Sequence, residues 1–110
     1  MKEIFDRVKT HLLAQGETAQ GNTMCVYHSQ SGLKCAVGCL ITEKAYSEEL
    51  EGETVDDAQV KDALKASGIS LDRSTLDMLL RLQSIHDEIG ANRWGHALDN
   101  LEAKLFGDAE

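Results

Sequence analysis

A chain of 110 residues has room for one domain around a single core, and no linker or composition shift divides it. Its 19 acids outweigh 11 bases, giving a formal net charge of −8, which argues against direct nucleic-acid binding because phosphate contact needs clustered Lys and Arg. No run reaches the ~18 consecutive apolar residues of a membrane span, and the charged opening MKEIFDRVK lacks a signal-peptide apolar region, so a cytoplasmic protein without membrane contact is expected.

Residues 2–15 read as the first helix, with Ile4, Val8 and Leu12 on one stripe and Phe5 and Leu13 beside it. Gly16 supplies a left-handed stop, and residues 17–23 read as a polar loop. Residues 24–41 then carry all three cysteines and the only long apolar run outside the helical patterns. Residues 24–28 alternate like a strand, Ser29 to Gly32 is turn chemistry, and residues 33–37 can return as the second strand. A lone hairpin is marginal in water, so this one must lie on helices, running into a short helix near 37–41.

The acidic stretch 42–52 reads as a loop with at most one turn. Thr54 is then placed as the N-cap of a helix over 55–67, with Val60, Ala63 and Leu64 as its apolar stripe and Gly68 as its stop. The longest helix is expected over 73–89, capped by Asp72 or Ser70, with Met78, Leu82, Ile85 and Ile89 in 4-3-4 spacing and Leu76, Leu79 and Leu80 widening the stripe. Asn92 is placed as cap of a last helix over 93–106, where Trp94, Leu98, Leu101 and Leu105 repeat that spacing. Their short linker predicts an antiparallel helix pair. The expected fold is therefore α+β and mostly helical, with one β-hairpin or small antiparallel sheet packed on about four helices.

Four features could carry chemistry. Cys25, His28, Cys35 and Cys39 are candidate zinc ligands, although the spacing is not that of a standard zinc finger. The simpler reading makes the thiols small buried hydrophobes and leaves the protein without a cofactor. A nucleophilic Cys35 or Cys39 would need a base, for which His86 is the best placed, and no cysteine-protease signature surrounds either thiol. The dipeptide His86-Asp87 is a weak echo of metal-dependent phosphohydrolases, with His11, His28 and His96 as further ligands only by count. The densest charge feature is the run from Glu43 to Asp62, which holds eight acids opposed by Lys44 and Lys61. Its solvated-surface reading competes with one in which Glu48, Glu49, Glu51, Glu53, Asp56 and Asp57 meet a basic partner.

The stretch Cys25-Val-Tyr27, Gly32-Leu-Lys34-Cys35-Ala36-Val37-Gly38, Leu40-Ile41 and Tyr46 through Glu51-Gly52 resembles a group of small phage and prophage proteins. These read Cys-x-Tyr-Arg-Gly-Pro-x-Gly-x-Lys-Cys-Ala-x-Gly-x-Leu-Ile-Pro. Leu82-Gln83-x-Ile85-His86-Asp87 and Trp94 fit the same group, whereas His28-Ser29-Gln30 stands where Arg-Gly-Pro is usual. The resemblance implies a viral accessory protein and assigns no mechanism. The leading expectation is a small, acidic protein of the host cytoplasm that binds and inhibits a host protein, such as a CRISPR-type defence or nucleic-acid-handling complex. The alternatives are a zinc-stabilised or cysteine-dependent module built on Cys25, Cys35, Cys39 and His86, and a structural homodimer joined through the last two helices.

Overall fold

A computed structural model describes residues 2–18, 26–29 and 32–107. Four helices dominate them: α1 (Lys2–Gln15), α2 (Ala58–Ala66), α3 (Arg73–Glu88) and α4 (Trp94–Phe106). Single 3₁₀ turns lie at Gly38–Leu40, Glu48–Leu50 and Ala91–Arg93. Among the described residues no helix is long and apolar enough to cross a membrane.

The apolar stripes become the core in the way their periodicity requires. Helix α1 buries Phe5, Val8 and Leu12 against α3 and α4, while Leu13, one position off the stripe, stays 47 % exposed. Helix α3 buries two adjacent rows, Met78, Leu82 and Ile85 on one and Thr75, Leu79 and His86 on the other, so it is lined with protein on a wide arc. Asp72 caps it by accepting from the Thr75 amide at 2.8 Å. Helix α4 contributes Trp94, Leu98 and Leu101, and Phe106 closes edge-on against Phe5 with ring centres 5.5 Å apart. Ion pairs clamp the outer rim of the α1–α4 contact, from Lys2 to Glu102 and from Lys9 to Asp99 and Glu102.

The expected β-hairpin is not seen among the described residues. The described residues contain no strand, and residues 26–37 retain one isolated antiparallel bridge, His28 with Lys34. The first two residues of the expected strand, Met24 and Cys25, and the turn residues Gln30 and Ser31 lie outside the described residues. The hydrogen-bond partners explain the correction. A ladder needs paired backbone groups, yet the Tyr27 and His28 amides donate to the Glu51 carboxylate, the Lys34 amide to Gln15 Oε1 and the Val37 amide to Gln83 Oε1. The Lys34 carbonyl is likewise engaged by His11 and Gln15. Two backbone bonds flank the bridge, from Ser29 N to the Leu33 carbonyl at 2.8 Å and from Cys35 N to the Tyr27 carbonyl at 3.2 Å, but Glu51 and Gln83 take the Tyr27 and Val37 amides that would have extended the ladder, and the fold class among the described residues is helical rather than α+β.

Two helix starts also differ. The helix expected from Val55 begins at Ala58, capped by Asp57, whose carboxylate accepts from the Gln59 amide at 2.8 Å. Val55 is instead turned into the core at 2 % exposure. The last helix begins at Trp94 without a side-chain cap, preceded by the Ala91–Arg93 turn where Asn92 had been placed as N-cap.

Candidate functional site

Glu51 is the node of the middle of the chain. One carboxylate oxygen accepts from the Tyr27 amide at 2.8 Å, and the other accepts from the His28 amide at 3.2 Å and the Tyr46 hydroxyl at 2.5 Å. Burial, then the bond to Glu51, raises the Tyr46 phenol above its ordinary pKa and keeps it a donor. The His28 ring stacks on Tyr46 with centres 4.2 Å apart and 7° between planes. Its Nε2 lies 2.8 Å from the Gly38 carbonyl. A carbonyl only accepts, so Nε2 carries the proton there. The Gly38 backbone packs directly on that of Tyr27, where a Cβ would lie 2.0 Å from the Tyr27 carbonyl oxygen.

Beside this node opens a cleft of about 390 Å³. Val26 and Tyr27 form one side, residues 52–55 another, and Leu80, Gln83, Ser84 and Asp87 of α3 the third. Among the described residues, Glu53 and Asp87 are its only charged lining residues, and no Lys, Arg or His lines it. Both acidic walls are held in place. The Tyr27 hydroxyl donates to the Glu53 carbonyl at 2.6 Å. Gln83 Nε2 donates to Asp87 Oδ1 at 2.9 Å, and His86 Nδ1 lies 2.7 Å from the same oxygen. Gln83 is itself fixed at its other end by the Val37 amide at 3.1 Å. Burial raises the Tyr27 phenol above its ordinary pKa, and the charges of Asp87, Glu51 and Asp57 add to that shift. Apolar walls with one hydrogen-bonded carboxylate, Asp87, and one exposed carboxylate, Glu53, suit a cation carried on an apolar stem.

The expected contact residues separate into two groups. Glu48, Glu49, Glu53 and Asp56 are exposed, and Asp57 is half-buried as the cap of α2. Glu48 and Glu49 sit on a 3₁₀ turn whose start is capped by Ser47. Glu51 is half-buried instead, and its carboxylate is engaged by the Tyr27 and His28 amides and the Tyr46 hydroxyl.

The thiol candidates do not meet the conditions for reactivity. Cys35 is fully buried, and burial pushes its thiol well above the ordinary range. Its sulfur accepts from the Gly38 amide at 3.2 Å. Cys39 is pushed up to about 12, chiefly by burial, and donates to the Ala36 carbonyl at 3.1 Å. Cys25 lies outside the described residues, among which no group of three or more His, Cys, Asp or Glu side chains could hold a metal ion. His86 turns inward at 1 % exposure and stacks on Trp94 with ring centres 5.5 Å apart, while His96 is exposed and His11 is bonded to the Lys34 carbonyl.

Sequence reasoning passed over Gln83 and the placement of Asp87. Their i, i+4 spacing on the central helix was the available signal, since such pairs meet on a helix surface. No family model, curated protein or solved structure matches this chain.

Proposed function

We propose that this chain is a phage or prophage accessory protein that works in the host cytoplasm by binding and inhibiting a host protein with a basic surface, the reading extending to a CRISPR-type defence or nucleic-acid-handling complex. One observation carries it. The exposed carboxylates of Glu48, Glu49, Glu53 and Asp56 lie within nine positions of one another and, among the described residues, none is ion-paired. At the α1–α4 rim, by contrast, Asp6, Asp99 and Glu102 are paired with Lys2 and Lys9. The Glu51 node anchors that segment, which lowers the ordering cost of docking. The motif from Cys25 to Gly52 supports the phage assignment.

The test is capture of host proteins by the wild type and by the triple variant Glu48→Lys, Glu49→Lys, Asp56→Lys, each at two salt concentrations. A specific partner should be lost at least tenfold in the variant, should weaken with salt, and should lose its own activity when the wild type is added. A partner held equally by both proteins refutes the electrostatic reading.

A further inference from the structure

We propose that the cleft between residues 52–55 and α3 is a receptor for a single arginine side chain of the protein partner. This deepens the binding function and rests on the partner being basic, but it concerns a separate set of residues from the exposed acids Glu48, Glu49 and Asp56.

The cleft is more than a pair of acids. It is a concavity of about 390 Å³, whose half-buried apolar wall residues Val26 and Leu80 offer surface to a hydrocarbon stem. Among the described residues its two charges are both negative and come from different walls, Glu53 on the loop and Asp87 on the helix, and no lysine, arginine or histidine lines it.

Preorganisation is the second observation. Asp87 receives bonds from Gln83 and His86 on Oδ1, and Gln83 is fixed in turn by the Val37 amide. Those bonds set the orientation of the carboxylate and direct both donors to one oxygen, Oδ1. On the other wall, the Tyr27 hydroxyl ties down the Glu53 carbonyl and leaves the Glu53 side chain exposed. A carboxylate held by neighbouring groups meets a ligand without first losing side-chain freedom. Arginine fits better than lysine because its planar guanidinium offers several donors at fixed angles, enough to reach two walls at once, and is more weakly hydrated than an ammonium. Its stem can lie along apolar surface while the head stays with the carboxylates. Ser84, Thr54 and Gln83 supply further polar atoms around the rim.

The test uses the purified whole chain and three neutral-ended probes, Nα-acetyl-arginine amide and its lysine and citrulline counterparts, titrated into ¹⁵N-labelled protein. The arginine probe should saturate, with the largest shifts at Thr54, Ser84 and the Gln83 side-chain amide. It should bind at least fivefold more tightly than the lysine probe and at least tenfold more tightly than the uncharged citrulline probe. Asp87→Asn and Glu53→Gln should each weaken it at least fivefold while Glu49→Gln leaves it unchanged. The Glu53 variant keeps the carbonyl that Tyr27 bonds, so it remains informative if the Asp87 variant misfolds. Non-saturating shifts spread over the acidic surface, equal binding of citrulline or lysine, or indifference to both variants would overturn the proposal. Because the assay needs no host protein, its failure leaves the Glu48–Glu49–Asp56 capture experiment standing, and failure of that experiment leaves this one standing.

Discussion

Gly38→Ala should be among the most damaging single-methyl additions in this protein. The position does not require a left-handed backbone, so the penalty is one of space. An alanine Cβ would lie 2.0 Å from the Tyr27 carbonyl oxygen and 2.7 Å from its carbon, both of them backbone atoms. Restoring an ordinary contact of 3.4 Å requires the two segments to separate by about 1.4 Å. Two hydrogen bonds span that junction, from Cys35 N to the Tyr27 carbonyl at 3.2 Å and from His28 Nε2 to the Gly38 carbonyl at 2.8 Å. Losing both costs about 2 kcal/mol at roughly 1 kcal/mol each, and overpacking adds about 1–3 kcal/mol. The total, about 3–5 kcal/mol, is a large share of the roughly 5–15 kcal/mol that holds a small domain together. It corresponds to a fall in Tm of about 12–20 °C at ~4 °C per kcal/mol for a chain of this size. Urea unfolding followed by fluorescence of the fully buried Trp94 would measure it. Gly95→Ala is the control. Its Cβ would meet only Leu13 Cδ2, at 4.0 Å, and it sits in α4, where alanine should stabilise by about 0.5–1 kcal/mol. A Gly38→Ala loss below about 1 kcal/mol would refute the close-approach argument.

Two further outcomes follow from the same geometry. Glu51→Gln keeps the shape but must point an NH₂ group at a donor, either the Tyr27 amide or the His28 amide and Tyr46 hydroxyl. It should cost about 2–4 kcal/mol, against less than about 0.5 kcal/mol for the exposed Glu49→Gln; similar urea midpoints for the two would show that Glu51 is not a node. At the α1–α4 rim, hydrogen bonds from Lys2 and then Lys9 hold Glu102 below its ordinary carboxylate pKa of 4.5. The two lysines are raised above 10.5, Lys2 first by Glu102 and Lys9 first by Asp99. The carboxylate's contribution is present above pH 4.5 and is lost as pH falls through its lowered value. The lysines' contribution is complete below pH 10.5 and is lost as pH rises through their raised values. Lys9→Met should therefore lower Tm most at neutral pH and low salt, with the gap closing in acid, in strong base and in added salt. A gap independent of pH would mean that Lys9 acts by packing alone.

The amino-acid sequence by itself determined the helices, because each carries its own periodic stripe and most of its own end signals. The bounds Lys2–Gln15 and the start of α3 at Arg73 were legible, since an apolar repeat is a local property, while the choice of Asp72 over Ser70 as its cap came from the structure. The burial of Cys35 was legible from the apolar run around it, whereas the inward turn of His86 was decided by the packing of α3. The stretch from 26 to 41 was otherwise not legible. Alternation and a turn sequence predict a hairpin, but the competition for its backbone groups is decided by Gln15, Glu51 and Gln83, which lie far away in the chain. The same long-range pairing turned Glu51 from one acid in a charged run into the anchor of Tyr27, His28 and Tyr46. It also made Asp87 the wall of a cleft, because only packing brings α3 against residues 52–55. Local spacing specifies which residues can form an element; which carboxylates remain available to a partner depends on what the tertiary fold places beside them.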